Sequence, residues 1–187
     1  MVWEIGLPQT FAASVPEQPS EDQLVEECKR GNVRAYERLY TIHSSRMKSL
    51  AFHMLGDRSD AEDAVQETFL KVYRSVGGFG GQSSLGTWMY RILLNTCYDQ
   101  GRKKQRLAEG PVSADIPSRS NVPLKIALER ALSRLNERQR TVFLLFEVEG
   151  LKHSEIATIL DAPEGTCRSW LFEAKRELKR ILMEPRP

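Results

Sequence analysis

Apolar residues recur along most of this chain at spacings of three and four, the period of an amphipathic α-helix. Glycine pairs or Gly-Asn steps separate the periodic segments, as at Gly31-Asn32 and Gly77-Gly78. In the first half of the chain the pattern predicts helices over 21–30, Ala35 to Met54, 59–75 and 85–104. We find no convincing strand, and we therefore expect an all-α fold.

The periodicity stops at 107–122, where Pro, Gly and Ser are mixed with polar residues. This composition predicts a flexible linker between two small helical domains, over 21–106 and 123–184. Residues 1–20 contain Pro8, Pro16 and Pro19 and predict a flexible tail. In the second domain, Asn136 is expected to cap a helix in a capping box with Gln139. The core of that helix is expected to include Leu144, Leu145 and Val148.

The helix predicted from Leu85 follows a Gly/Ser loop at 79–84 and has two distinct faces. The expected buried stripe contains Leu85, Trp88 or Met89, Ile92 and Thr96. The other stripe contains Arg91, Asn95, Tyr98 and Arg102. These residues suit a nucleic acid, because the cations can bind phosphates, the aromatic ring can stack on a base and the amide can bind a base edge. A basic helix that is simply solvated has the same pattern. We expect the helix to fray or end at Gly101.

The segment 59–75 predicts an acidic helix, with Ala61, Val65, Phe69 and Val72 on its inner side. Its outer side holds Asp60, Asp63, Gln66 and Glu67. This face repels DNA, so a functional role requires a basic protein partner. A solvated charged face is the alternative interpretation.

Residues 151–182 have the pattern of a helix-turn-helix. Ser154 is placed to cap a short helix, which Asp161-Ala162-Pro163 ends. A longer helix follows from Glu164, with a stripe of Cys167, Leu171, Ala174 and Leu178. Its outward residues include Thr166, Arg168, Ser169, Phe172, Lys175 and Arg176. Such a helix binds the DNA major groove, although two packed surface helices have the same pattern.

Charge totals add little, since 27 Lys+Arg against 25 Asp+Glu give a net charge of +2. The three cysteines lie far apart without a C-x-x-C, and the three histidines have no carboxylate or cysteine partner at motif spacing. We therefore expect the cysteines to be buried free thiols, and we expect no catalytic activity, metal or cofactor. No segment has the roughly 18 apolar residues of a membrane span. Residues 1–20 lack the pattern of a signal peptide, so we expect a cytoplasmic protein without membrane insertion.

Four motifs together resemble the bacterial extracytoplasmic-function (ECF) sigma factors over residues 21–182. They are, in order, DAEDAVQETFLKVY, FGGQSSLGTWMYRILLNT, LNERQRTVFLLFEVEGLKHSEIATIL and PEGTCRSWLFEAKREL. The resemblance implies a sigma region 2 domain, a linker and a sigma region 4 domain. It also implies a protein that binds core RNA polymerase and directs −10 melting and transcription initiation.

The resemblance implies a role for each surface. The acidic helix would dock on the β′ clamp helices of RNA polymerase, which also contacts sigma factors through its β subunit; the candidates are Asp60, Asp63, Gln66 and Glu67. The loop and the following helix would hold single-stranded −10 DNA, with one base flipped into a pocket. The candidates there are Phe79, Ser83, Trp88, Arg91, Asn95, Tyr98 and Arg102.

The C-terminal helix-turn-helix would bind duplex −35 DNA through Thr166, Arg168, Ser169, Phe172, Lys175 and Arg176. Family members are commonly inhibited by an anti-sigma factor, so we expect such a partner, which could also hold the protein at the membrane. The alternative function is a free-standing helix-turn-helix regulator, which would need only residues 151–182 and would bind paired half-sites as a dimer.

Overall fold

A computed structural model describes residues 20–107 and 123–183, and it contains helices but no strand within these two segments. The all-α prediction is therefore confirmed for the described residues. Nearly all of the expected tail 1–20 and linker 107–122 lies outside them.

Four α-helices build the first segment: α1 (Glu21–Lys29), α2 (Val33–Leu55), α3 (Arg58–Ser75) and α4 (Leu85–Leu107). A short 3-10 turn over Val76–Gly78 follows α3. Local signals explain where the helices begin and end. Ser20 and Gln23 form a reciprocal capping box at the start of α1, and Asp57 caps α3. Gly56 ends α2 in the left-handed conformation, with φ of 74°.

Helix α4 is buried on a broader surface than the single predicted stripe. Leu85, Met89 and Thr96 are buried as expected, whereas Trp88 and Ile92 are only half-buried. The sequence analysis did not include Leu93 and Leu94 in the stripe, and both are buried. The reason is that α4 packs against α2 and α3 on one side and against the second domain on another.

The prediction that α4 ends near Gly101 is wrong, because the helix continues to Leu107. An ion pair joins the last turns of α4 to the start of α3: the Nζ of Lys104 lies 2.7 Å from a carboxylate oxygen of Asp60. This tertiary contact opposes the roughly 1 kcal/mol by which glycine disfavours a helix interior relative to alanine.

The second domain contains α5 (Pro123–Arg134), α6 (Glu137–Phe143), α7 (His153–Leu160) and α8 (Glu164–Met183). Asn136 caps α6 as predicted, but the Gln139 side chain donates to Glu173. Ser154 does not cap α7: the N-cap is Lys152, whose backbone N–H donates to Glu155. On α8, the four residues of the predicted stripe are all buried.

Val148 was predicted to lie in the core but is 51% exposed. A π-helical turn over Leu144–Val148 follows α6, and the Glu149 N–H donates to the carbonyl of Leu144. The wider turn places one more residue between bonded groups than an α-helix does, which shifts Val148 off the buried face. Leu144 and Leu145 remain fully buried, as predicted.

We predict opposite stability effects at two glycines that differ in backbone conformation. A Cβ at Gly101 or at Gly31 would meet no atom within 4 Å, but Gly31 has φ of +77°. Gly101→Ala should raise the free energy of unfolding by about 0.5–1 kcal/mol. Gly31→Ala should lower it by about 1–2 kcal/mol because of left-handed strain. Urea denaturation measures both; a destabilised Gly101→Ala variant would contradict the helical geometry described for α4.

Candidate nucleic-acid and protein interfaces

A cavity of about 350 Å³ lies where the loop after α3 meets the first turns of α4. It brings together four of the predicted site residues: Phe79, Ser83, Trp88 and Arg91. The Phe79 and Trp88 rings are tilted, with centroids 5.1 Å apart. Gly78, Gly80, Gln82, Thr87 and Thr158 complete the lining. Two aromatic rings, hydroxyl groups and a guanidinium provide stacking, hydrogen-bonding and phosphate-binding chemistry in one place.

Local hydrogen bonds hold the mouth of this cavity in position. The Ser84 hydroxyl accepts the Thr87 N–H at 3.1 Å and so satisfies a donor in the first turn of α4. The Leu85 N–H donates to the carboxylate of Glu21, which ties the start of α4 to α1. Gly81 has φ of +68°, a conformation that favours glycine in the turn. Contacts with α1 and with the first turn of α4 therefore hold the loop in position.

Beyond the cavity, Arg91, Asn95 and Arg102 are exposed along one side of α4. Arg102 donates to Asp99 at 2.6 Å, an exposed pair within one helix. Tyr98, which was predicted to lie on the same exposed side, is not exposed. Its ring is half-buried against the second domain, and its hydroxyl lies 2.9 Å from Thr141 Oγ1. This burial raises the pKa of Tyr98.

The acidic residues of α3 divide into two groups. Asp63, Gln66 and Glu67 are exposed, and Glu67 pairs with Lys71 of the same helix at 2.8 Å. Asp60 is half-buried and binds Lys104, and this hydrogen bond raises the pKa of the lysine. Asp60 therefore joins α3 to α4, while the other three side chains face solvent.

An apolar groove between α2 and α3 adjoins this acidic face, and the sequence analysis missed it. Its volume is about 630 Å³, and its lining includes Gln66 together with Tyr36, Tyr40, Phe69, Leu70 and Tyr73. Leu70 and Tyr73 are each 56% exposed. The signal was present, because Leu70 and Tyr73 follow Gln66 at steps of four and three on the outer face of α3.

The predicted duplex-DNA face of α8 is open to solvent. Arg168, Ser169, Lys175 and Arg176 are exposed, and Phe172 is 67% exposed; Thr166 is half-buried. Arg168 pairs with Glu164, and Lys175 pairs with Glu147 at 2.6 Å. Exposed ion pairs contribute at most about 1 kcal/mol, so they compete weakly with a phosphate or base. Near this face, the Arg138 guanidinium lies 5.2 Å from the half-buried ring of Trp170, a contact that was not predicted.

Within residues 20–107 and 123–183 no cluster of His, Cys, Asp and Glu has the arrangement of a metal site. The same residues contain no helix long and apolar enough to span a membrane. Cys28, Cys97 and Cys167 are free thiols and all are buried, as the sequence predicted. Burial raises the pKa of Cys97 to about 12, so its thiolate is scarcely populated at neutral pH.

Comparisons with known proteins match both halves of the chain to one family. Residues 39–107 match Sigma-70 region 2, and residues 125–178 match Sigma-70 region 4. The chain is 34% identical to the ECF RNA polymerase sigma-E factor of Haemophilus influenzae, over 87% of this chain and 95% of that protein. It is 32% identical to the RNA polymerase sigma-H factor of Pseudomonas aeruginosa, over 88% and 95%.

The fold of this chain resembles that of several solved structures. CnrH in complex with the cytosolic domain of CnrY matches with a TM-score of 0.69 and 23% identity, over 85% of this chain and 94% of that chain. The sigma factor RpoE in complex with the anti-sigma factor NepR, from Bartonella quintana, matches with a TM-score of 0.66 and 24% identity, over 81% and 98%. By sequence and by domain composition, the chain belongs to the ECF sigma factors, the alternative sigma subunits that direct RNA polymerase to promoters.

Proposed function

We propose that the cavity at the start of α4 holds a flipped base of the −10 element and that the adjoining face of α4 binds the melted strand. The observation that carries this assignment is the joint lining of one cavity by Phe79, Ser83, Trp88 and Arg91. Removing a base from the stack costs a few kcal/mol, and aromatic contacts together with an enclosing pocket offset that cost. Asn95 and Arg102 continue the surface along α4.

The polymerase-binding surface, in this proposal, combines the acidic face of α3 with the adjoining apolar groove. Protein interfaces commonly have an apolar centre and a polar rim. Leu70 and Tyr73 would supply the centre, and Asp63 and Glu67 the rim. An acidic rim repels DNA and attracts a basic protein surface such as we expect on the β′ clamp helices. Asp60 contributes indirectly, by holding α3 to α4 through Lys104.

We assign binding of the duplex −35 element to α8. Its exposed residues offer a guanidinium for a guanine edge, a hydroxyl, and an apolar ring for a thymine methyl group. Lys175 and Arg176 lie further along α8, at positions that suit contacts with phosphates. We assign region 2 to 21–106 and region 4 to 123–184, with 107–122 as the connection.

We further propose a cytoplasmic protein without catalytic activity or cofactor, held inactive by an anti-sigma factor. Support for that partner comes from the RpoE structure, in which a sigma factor of this fold is bound to the anti-sigma factor NepR. A free-standing regulator is less well supported, because it would have no use for the cavity or the groove.

The experiment that tests the function is transcription by purified core RNA polymerase on a library of randomised promoters, with and without this protein. Initiation that depends on the protein yields the −35 and −10 sequences together. Specific binding to duplex DNA without initiation would support the free-standing regulator instead.

Reversing charge at Asp63 should weaken binding to core RNA polymerase strongly while leaving the helical content unchanged. Asp63→Lys removes an exposed carboxylate from the rim of the proposed docking surface. Glu26→Lys, at an exposed site on α1, is the matched control and should leave binding intact. Binding is measured by fluorescence anisotropy and helicity by circular dichroism. Equal affinity for both variants would remove α3 from the interface.

Asn95→Ala should slow promoter opening more than it weakens binding to duplex −35 DNA. The reason is that Asn95 lies on the exposed face of α4 and is not part of the helix-turn-helix that we assign to the −35 element. Stopped-flow fluorescence of a base analogue in the −10 element measures opening, and a gel-shift assay measures duplex binding. If both properties fall by the same factor, the two surfaces do not divide the work as proposed.

Arg168→Ala should weaken binding by about 1–3 kcal/mol at one base pair, provided that the guanidinium binds a guanine edge in two places. The predicted result is relaxed specificity at that position, measured by titrating −35 duplexes with each base pair in turn. Arg176→Ala, at the position proposed to contact a phosphate, is the control and should weaken all sequences alike. Uniform weakening by Arg168→Ala would identify a phosphate contact.

A further inference from the structure

The width of the proposed −35 face decides which groups can reach the DNA backbone. Arg168, Phe172 and Arg176 follow one another at steps of four along α8 and mark the middle of this face. An α-helix with its side chains is about 10–12 Å across, and the major groove is about 12 Å wide. A helix docked in the groove therefore brings both of its edges close to phosphates, where a cation contributes to affinity.

The two edges of α8 differ in charge. On the helical wheel, Lys175 lies at one edge, and the opposite edge is formed by Thr166, Trp170 and Glu173. None of these three residues is basic, so α8 itself offers no cation to the phosphates on that side. The carboxylate of Glu173 accepts a hydrogen bond from the Gln139 side chain at 3.2 Å, which shows that α6 lies along this second edge.

Helix α6 brings a cation to the edge where α8 has none. The Arg138 guanidinium lies 5.2 Å from the centre of the Trp170 ring, within the range of a cation–π contact. Arg138 is exposed, whereas Trp170 is half-buried. In the part of the chain that the structure describes, no carboxylate lies within 4 Å of this guanidinium, whereas Arg168 and Lys175 are both in ion pairs.

The contact with the ring leaves the hydrogen-bonding groups of the guanidinium available. A ring is bound through the flat face of a guanidinium, while the five N–H donors lie in its plane. These donors can bind two oxygens of one phosphate by parallel hydrogen bonds. The ring also restricts the long arginine side chain before DNA binds, which reduces the entropy lost on binding.

We propose that Arg138, positioned by Trp170, binds a backbone phosphate of the −35 duplex at the edge of the groove opposite Lys175. This inference rests on the proposed −35 face of α8. It adds a DNA contact from outside the helix-turn-helix, and it makes Trp170 a positioning residue. Because a phosphate carries no sequence information, the contact should raise affinity for different −35 sequences by the same factor.

The test measures binding of the full chain to a −35 duplex at a series of salt concentrations, by fluorescence anisotropy. Arg138→Ala should make the slope of log affinity against log salt shallower by about one, since each phosphate contact contributes roughly 0.9. Affinity should therefore fall about eightfold at 0.1 M salt and match the wild type near 1 M. Arg130→Ala, which removes an exposed arginine from α5, is the matched control and should change neither slope nor affinity.

Variants of Trp170 test the positioning role. Trp170→Leu keeps an apolar side chain but removes the ring, and it should weaken binding at 0.1 M salt by about two- to fivefold, the worth of an exposed cation–π contact. Trp170→Phe retains a ring face and should restore most of the affinity. In the Arg138→Ala background, Trp170→Leu should cause no further loss. Circular dichroism checks that each variant has the helical content of the wild type.

The phosphate contact is disproved if Arg138→Ala equals Arg130→Ala in slope and affinity, or if it changes the preferred base pair at one position. A further loss from Trp170→Leu in the Arg138→Ala background would overturn the positioning role. The proposed function fails in a different way. Wild-type protein that prefers no −35 sequence over another would remove the assignment of α8, whereas a retained preference with an inert Arg138→Ala would remove the phosphate contact alone.

Discussion

Helix α4 packs against α2 and α3, and the burial of Leu93, Leu94 and Cys97 fixes its rotation about its own axis. The other surfaces of the protein depend on that rotation. With these residues inside, Arg91 and Asn95 lie outside, and Trp88 reaches the loop at Phe79. A slip of one residue turns a helix by about 100° and would separate the cavity from the basic face. Close packing thus acts on function by setting where polar groups lie, as well as by stabilising the domain.

Several exposed charged groups on the proposed binding surfaces already have a partner within the protein. Arg168 binds Glu164, Lys175 binds Glu147, and Arg102 binds Asp99. Both partners of each pair are exposed, so the pair orients the basic side chain but costs little free energy to break when DNA binds. Such pairs reduce the entropy that a long side chain loses on binding DNA, and they weaken non-specific attraction to any phosphate. Selectivity gains from both effects, since a phosphate must compete with a carboxylate that is already in place.

The sequence predicted well whatever depends on local periodicity. The stripe of Cys167, Leu171, Ala174 and Leu178 is buried because, in a regular helix, residues at this spacing lie on one face. Val148 was mispredicted because a single π-helical turn shifts the helical period, and no residue type in the sequence indicates such a turn. The groove at Leu70 and Tyr73 was missed because outward apolar residues on an acidic helix were assigned by charge alone.

Tyr98 illustrates a different limit. Helical periodicity correctly placed it near Arg91 and Asn95, but periodicity describes one helix and says nothing of a domain that packs on it. Its partner, Thr141, lies 43 positions further along the chain. The candidate site was therefore predictable residue by residue around the cavity, where neighbours are close in sequence. The contact between Tyr98 and the second domain could be seen only in the tertiary structure.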